Sequence, residues 1–189
     1  MYWKPPKALS PATLLLPGED GAKEDWVGLA TRLRQQGYGV LALDFRQPGE
    51  VDRGQLLAGV RAGFDFLRQE KKVDAARIGL IGAGLGADAA LNFAAQEPLA
   101  RLAVLLSPGL GQHVLPAEPA LADYGFRPLL LVAAEEDPIA SYAVGGLVGV
   151  AHGEGVGHLY SGEAASGTEM LTAFPKLTEE ILTFLRAHL

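Results

Sequence analysis

Short runs of apolar residues recur along the chain with polar or amphipathic stretches between them. The runs are almost continuous, a pattern typical of strands whose two faces are both covered. A sixth, weaker run contains a histidine. The strands predicted in this way are ATLLLP at 12–17, GVLALDF at 39–45, RIGLIG at 77–82, RLAVLLS at 101–107, PLLLVAA at 128–134 and VGHLYS at 156–161.

Amphipathic helices are predicted between these strands, at 24–36, 53–71, 85–97 and 174–188. In the second of them Leu56, Val60, Phe64 and Leu67 recur at helical spacing and form one apolar face. Alternating strands and helices imply right-handed crossovers, and therefore an α/β fold with a mainly parallel sheet of about six strands and helices on both faces. The segment 138–152 contains three glycines, which disfavour a helix there.

Composition narrows the class of protein. The 189 residues suit a single domain covering 1–189, and 49% hydrophobic with 20% charged residues is typical of a globular protein. A formal net charge of −6 opposes binding to nucleic acid. Cysteine is absent, which excludes a Cys-based zinc site, and we expect no cofactor and no metal ion. Prolines interrupt the apolar run near the N-terminus, so we expect a cytoplasmic protein without a membrane span; a removed export signal would leave the same pattern.

The stretch RIGLIGAGLGADAALNFA, at 77–94, predicts a strand, a glycine-rich turn and a helix. One interpretation takes Gly82, Gly84 and Ala87 as the G-x-G-x-x-G/A fingerprint of dinucleotide-binding proteins. That fingerprint follows the first strand of its unit and needs an acid about 20 residues later to hold the ribose. Here two strand and helix units precede the turn, and the next strand ends in LLSPG without an acid. The context therefore disfavours a nucleotide site.

The other interpretation takes Gly82, Gly84 and Gly86 as the three fixed positions of a nucleophile elbow, G-x-S-x-G. The phrases around it, in order, resemble the α/β-hydrolase family, in particular its small lidless esterases and dienelactone-hydrolase-like members. The resemblance covers nearly the whole chain. The phrases that carry it are ATLLLPGEDG, GYGVLALDFRQPGE, VDAARIGLIGAGLGADAALNFAAQEP, RLAVLLSPG and PLLLVAAEEDPIA.

The resemblance implies a catalytic triad that is mostly lost. Gly84 stands at the position of the nucleophile and has no side chain, while Asp137 stands at that of the acid. Asp137 also precedes Pro138, which is typical of a helix N-cap and would explain it without catalysis. The tail places Ser166 where the family has its histidine. The backbone N–H groups of Glu19 and Leu85 match the oxyanion hole.

Two histidines remain candidates near the cleft that the resemblance implies. His158 is a rival for the base but is expected within the sixth strand, and His113 follows LLSPG near the mouth of the cleft. We expect a pseudoenzyme that binds a small ligand or a partner, a protein or a second copy, in the remnant cleft. The alternatives are a hydrolase acting through Asp137 and His158 or other cleft residues, and an interaction protein that does not use the cleft.

Two structural expectations follow from this interpretation. Glycine tolerates the strained backbone of an elbow, so Gly84 should have a positive φ at a sharp turn between strand and helix. Asp137, without its histidine, should form a hydrogen bond, directly or through water, to residues near Ser166, because an unpaired buried charge is costly.

Overall fold

A computed structural model describes residues 1–45, 52–109, 115–153 and 155–189. Within these ranges, seven strands form one sheet in the order β1-β3-β2-β4-β5-β6-β7. All neighbouring strands are parallel except β1, which pairs antiparallel with β3. The strands are β1 (Tyr2–Trp3), β2 (Ser10–Leu16), β3 (Gly39–Ala42), β4 (Val73–Ala83), β5 (Ala100–Leu106), β6 (Leu129–Ala134) and β7 (Gly155–Tyr160).

Helices cover both faces of the sheet, as the alternating pattern predicts. They are α1 (Val27–Gln35), α2 (Arg53–Gln69), α3 (Leu85–Gln96), α4 (Ala117–Tyr124), α5 (Pro138–Val150), α6 (Met170–Ala173) and α7 (Pro175–His188). Short 3-10 turns precede α1 and α6, at Lys23–Trp26 and Gly167–Glu169. Within the ranges that the structure describes, no helix is both long and apolar enough to cross a bilayer.

Two apolar clusters, one on each side of the sheet, form the core. On one side α2, α3, α4 and α5 pack on the strands, with Leu14 and Leu16 of β2 among the buried residues. On the other side α1, α6 and α7 pack, and Leu15 of the same strand points toward them. All three leucines are fully buried. Covered faces on both sides explain why the strand sequences are continuously apolar rather than alternating.

The sequence prediction is confirmed for the α/β class and for all six strands, but the sheet has a seventh. Strand β1 is only two residues long and pairs with β3 through Tyr2 and Trp3, so it has no periodicity to detect. Helix α5 forms despite its glycines, because Ala140, Val144 and Leu147 are buried. Its three glycines, Gly145, Gly146 and Gly149, are exposed. Helix α4 was not predicted.

The parallel strands β2, β4, β5 and β6 bring their carboxyl ends to one edge of the sheet. The turns that leave those ends contain Glu19, Gly84, Ser107 and Asp137, respectively. In an open α/β sheet this edge is where binding and catalytic groups gather. The topology therefore brings residues that are far apart in the sequence to a common place.

Candidate functional site

Gly84 forms the sharp turn between β4 and α3. Its φ is 51° and its ψ is −120°, which confirms the predicted positive φ. Its N–H donates to the Leu106 carbonyl of the neighbouring strand at 2.9 Å. Residues other than glycine adopt this backbone region only at a cost of about 1–3 kcal/mol, which is tolerated mainly at functional sites.

The glycines on either side of Gly84 are required for a different reason, the close approach of other backbone segments. A Cβ at Gly82 would lie 2.1 Å from the Gly86 carbonyl oxygen, and one at Gly86 would lie 2.2 Å from the Leu16 carbonyl oxygen. A Cβ at Gly84 would have its nearest neighbour, the Gly18 Cα, at 3.8 Å. The turn therefore has space for a side chain at residue 84 and for none at the two flanking glycines.

A cleft of about 190 Å³ opens at this edge of the sheet. It brings together Gly84, Asp137 and Ser166, the three positions predicted from the sequence. The residues of the described ranges that line it are Gly84, Ser107, Pro108, Gly109, Asp137, Ile139, Ala140 and Ser166. No histidine is among them.

Asp137 is the N-cap of α5, as its position before Pro138 predicts. Its Oδ1 accepts a hydrogen bond from the Ala140 N–H at 3.0 Å. Ser166 precedes the 3-10 turn at Gly167–Glu169, and its side chain makes no capping bond. Among the described residues, the Asp137 side chain has no hydrogen bond to Ser166 or to the residues near it. The expected direct bond is thus absent there, and the expected bridge through water stays a prediction.

Glu136, rather than Asp137, forms a hydrogen bond to the segment that follows β7. The carboxylate of Glu136 accepts the N–H of Gly162 at 2.7 Å. The Glu135 N–H donates to the Tyr160 carbonyl oxygen at 2.8 Å. The loop after β6 and the turn after β7 are therefore held together beside the cleft by groups other than the predicted acid.

The two positions predicted for an oxyanion hole lie beside the elbow. Leu85 is the first residue of α3, so its N–H has no partner within the helix. Glu19 lies in the turn after β2, next to Gly18, which approaches Gly84. Neither Glu19 nor Leu85 is among the described residues that line the cleft. An oxyanion hole at these amides stays a prediction.

The structure does not bring His158 to the cleft. His158 lies on β7, as expected, and its Nδ1 is 2.9 Å from Glu180 Oε1 of α7. The ring stacks on Tyr160, whose hydroxyl donates to Glu180 Oε2 at 2.7 Å. Burial first, and then the Glu180 carboxylate, raise the pKa of Tyr160. Side-chain alternation along β7 directs His158 toward α7, so the rival base is separated from the elbow.

His113 lies outside the residues that the structure describes, so its predicted place at the mouth of the cleft is untested. Within the described ranges, no group of three His, Cys, Asp or Glu side chains could hold a metal ion.

Sequence reasoning missed Ser107, which follows β5 directly. Ser107 is only 5% exposed and is one of two residues other than glycine, in the described ranges, with a positive φ, here 48°. Its Oγ accepts the Gly167 N–H at 2.9 Å and donates toward the Met170 sulfur at 3.2 Å. The Ser-Pro-Gly sequence at the carboxyl end of a buried strand was the available signal, because such ends line the functional edge.

Two buried polar side chains of α3 hold the wall of the cleft beyond Ser107. Asp88 is 1% exposed, and its Oδ1 accepts the Gly109 N–H at 3.1 Å. Asn92 is 2% exposed and donates from Nδ2 to the Pro116 carbonyl oxygen at 3.1 Å. Both bonds reach the segment between β5 and α4, one near each end. Because Gly109 lines the cleft, the elbow helix itself positions this wall.

Solved structures of hydrolases share this architecture. A dienelactone hydrolase from Anabaena variabilis superposes with a TM-score of 0.83 at 18% identity, covering 100% of this chain and 90% of that one. The α/β hydrolase GrgF from a Penicillium species gives 0.80 at 14% identity, covering 97% and 92%. Est1E from Butyrivibrio proteoclasticus gives 0.79 at 14% identity, covering 96% and 90%. The chain therefore has the α/β-hydrolase fold.

Sequence relatives are less informative about function. Two proteins of Mycobacterium tuberculosis, from strains CDC 1551 and H37Rv, are 38% identical over 102 residues, and both are described only as uncharacterized. The match covers 52% of this chain but 36% of each relative, so the chain matches little more than a third of their length. No protein-family model matches the sequence.

Proposed function

We propose that this protein is a non-hydrolytic α/β-hydrolase-fold protein that binds a small molecule in the cleft beside Gly84. The observation that carries the proposal is the elbow itself. Gly84 has the strained conformation and the space of a nucleophile position, but it has no atom that could form an acyl-enzyme.

The other groups at the cleft support the same conclusion. Acyl transfer by a triad needs a base within hydrogen-bond reach of the nucleophile and an acid that orients the base. The described lining offers the Asp137 carboxylate and the hydroxyls of Ser107 and Ser166, with no imidazole. Asp137 is engaged as a helix cap. We therefore interpret Gly84, Asp137 and Ser166 as the remnants of a degenerate triad.

The size of the cleft favours a small molecule over a macromolecular partner. Sites for drug-sized ligands usually have volumes of about 300–1,000 Å³. The cleft here, at about 190 Å³, suits a ligand of fewer atoms. Ile139, Ala140 and Pro108 supply an apolar wall, and the serines and Asp137 supply polar contacts.

A fluorophosphonate probe and short-chain p-nitrophenyl esters test the absence of covalent hydrolysis. We expect no labelling and no turnover above the uncatalysed rate, because residue 84 supplies no nucleophile. The double variant Gly84→Ser with Ser166→His is the matched positive control. Labelling and ester hydrolysis in the double variant, with little in either single variant, would support the assigned positions. Rapid ester turnover by the wild-type protein would contradict the proposal.

The alternative of a hydrolase acting through Asp137 and His158 is disfavoured by the geometry. Asp137 lines the cleft, whereas His158 contacts Glu180 on the α7 side of the sheet. Ester turnover that is lost in Asp137→Asn and in His158→Ala would revive it. Loss in Asp137→Asn alone would indicate catalysis by other cleft residues.

A further inference from the structure

Ser107 has a backbone conformation that is unfavourable for serine. Its φ of 48° places it in the left-handed region, where a Cβ crowds the following carbonyl oxygen. Its N–H donates to the Val132 carbonyl oxygen at 2.7 Å, which holds the residue at the end of its strand. Glycine would adopt the same backbone without strain. A serine in this conformation among the residues that line a cleft points to a use for its side chain.

The hydroxyl of Ser107 has a strong bond in one direction and a weak one in the other. Its oxygen accepts the Gly167 N–H at 2.9 Å, which fixes the oxygen in place. Its oxygen lies 3.2 Å from the Met170 sulfur, to which the hydroxyl donates, and a thioether is a weak acceptor. An oxygen acceptor entering the cleft would therefore offer this proton a better partner without disturbing the bond from Gly167.

The charge in the cleft restricts what that acceptor can be. Asp137 lines the same cleft, and its carboxylate would repel a bound anion. The same carboxylate accepts hydrogen bonds, and one from the Ala140 N–H leaves further acceptor capacity. A neutral ligand that combines a carbonyl oxygen with an N–H donor, as a primary amide does, would match both Ser107 and Asp137.

The following inference rests on the proposed small-molecule function. We propose that Ser107 is the specificity residue of the cleft. Its hydroxyl donates to the carbonyl oxygen of a short neutral amide. The N–H of that amide donates to Asp137. The alkyl part of the ligand contacts Pro108 and Ile139, the apolar members of the lining. The bond from Gly167 orients the donor, so the tail of the chain completes the site.

Titration of the ¹⁵N-labelled protein with butyramide, followed by the amide signals of Gly84, Gly109 and Gly167, tests this assignment. Butyrate is the matched anionic probe. We expect butyramide to bind more tightly than butyrate. Ser107→Gly, which relieves the strained backbone and removes only the hydroxymethyl group, should weaken butyramide binding about tenfold. Ser161→Ala, at an exposed serine in the turn after β7, is the control and should bind as the wild type does.

A direct readout separates ligand contact from a structural role of Ser107. In butyramide labelled with ¹³C at its carbonyl, the carbonyl chemical shift should change when the ligand binds the wild type, because the carbonyl gains a hydrogen bond. The change should be lost in Ser107→Gly. Equal affinity and an equal carbonyl shift in both proteins would overturn the inference while leaving small-molecule binding intact. Failure of both probes to bind the wild type would overturn the assigned ligand class, whereas fluorophosphonate labelling separately decides the non-hydrolytic function.

Discussion

Three glycines of the elbow look equivalent in the sequence but have different physical roles. Gly82 and Gly86 allow backbone segments to approach within distances that no Cβ would permit. Gly84 has space around it, and only its torsion angles favour glycine. This difference matters for function, because a position with space and a strained backbone is one that could hold a nucleophile.

Alanine substitution should separate these roles. Gly84→Ala should lower the free energy of unfolding by about 1–3 kcal/mol, the cost of a strained backbone conformation. Gly82→Ala should cost more than about 3 kcal/mol or prevent folding, because its Cβ would overlap the Gly86 carbonyl. Urea denaturation followed by circular dichroism measures both. Similar losses in the two variants would contradict the distinction.

Helix α5 shows how an element can form against its local propensity. Its glycines lie on an exposed face, where no atom lies within 4 Å of an added Cβ, and its buried face packs on β6 and β7. Asp137 accepts the Ala140 N–H at its start, and Pro138 occupies the first helical position. Burial and capping together outweigh the cost of glycine, which is about 1 kcal/mol for each residue in a helix interior.

Loss of the cap should therefore destabilise α5 measurably. Asp137→Ala should lower the free energy of unfolding by about 1 kcal/mol, and Asp137→Asn should retain most of the stability because asparagine also caps. Asp52→Ala removes the equivalent cap of α2, a bond to the Gln55 N–H at 2.7 Å, and provides the matched control. Thermal and urea melts check all three. If Asp137→Asn were as damaging as Asp137→Ala, the carboxylate would have a role beyond capping.

At the scale of the whole molecule, Glu97 and Arg127 form a cluster of contacts at the edge of the sheet opposite the cleft. Glu97, at the end of α3, pairs with Arg61 of α2 and accepts the Leu99 N–H at 3.1 Å. Arg127 donates to the carbonyl oxygens of Ala94, Glu97 and Ala100. These contacts join helices of one layer to the strands below them.

The Glu97 contacts predict a dependence of stability on pH. Burial raises the pKa of Glu97. The hydrogen bonds from Arg61 and from the Leu99 N–H together lower it by more, so the pKa in the folded protein is below its ordinary value. The stabilisation is then present above the unfolded pKa, near 4.3, and is lost as the pH falls toward the folded pKa. Its size is roughly 1 kcal/mol or less, since Arg61 is partly exposed to solvent.

Glu97→Gln should thus be less stable than the wild type at pH 7 and should lose less stability below about pH 4.5. Urea melts at several pH values measure the two slopes. Asp65→Asn, which removes an ion pair with Arg68 that is exposed on both sides, is the control and should follow the wild type. If the free energy of unfolding fell as steeply at acidic pH in Glu97→Gln as in the wild type, Glu97 would not contribute to that loss.

Local pattern was enough to predict the layers of the fold. Continuous apolar runs predicted the strands, and their parallel order predicted that the turn at Gly84 would lie at the functional edge. The family resemblance supplied Asp137 as the position of the acid. The same resemblance, rather than spacing, placed Ser166 at that edge. Strand β1 escaped prediction because two residues have no periodicity, and α5 was doubtful because burial rather than propensity decides it.

By itself the sequence determined the six longer strands of the sheet, the helices α1, α2, α3 and α7, and that residue 84 offers no nucleophile. Only the tertiary structure decided which polar side chains face the cleft. Ser107 lines the cleft, and its hydroxyl accepts the N–H of Gly167, 60 residues away, whereas His158 contacts Glu180 of α7. Periodicity is a local property that neighbouring residues encode, whereas side-chain partners depend on contacts between elements that come together only when the chain folds.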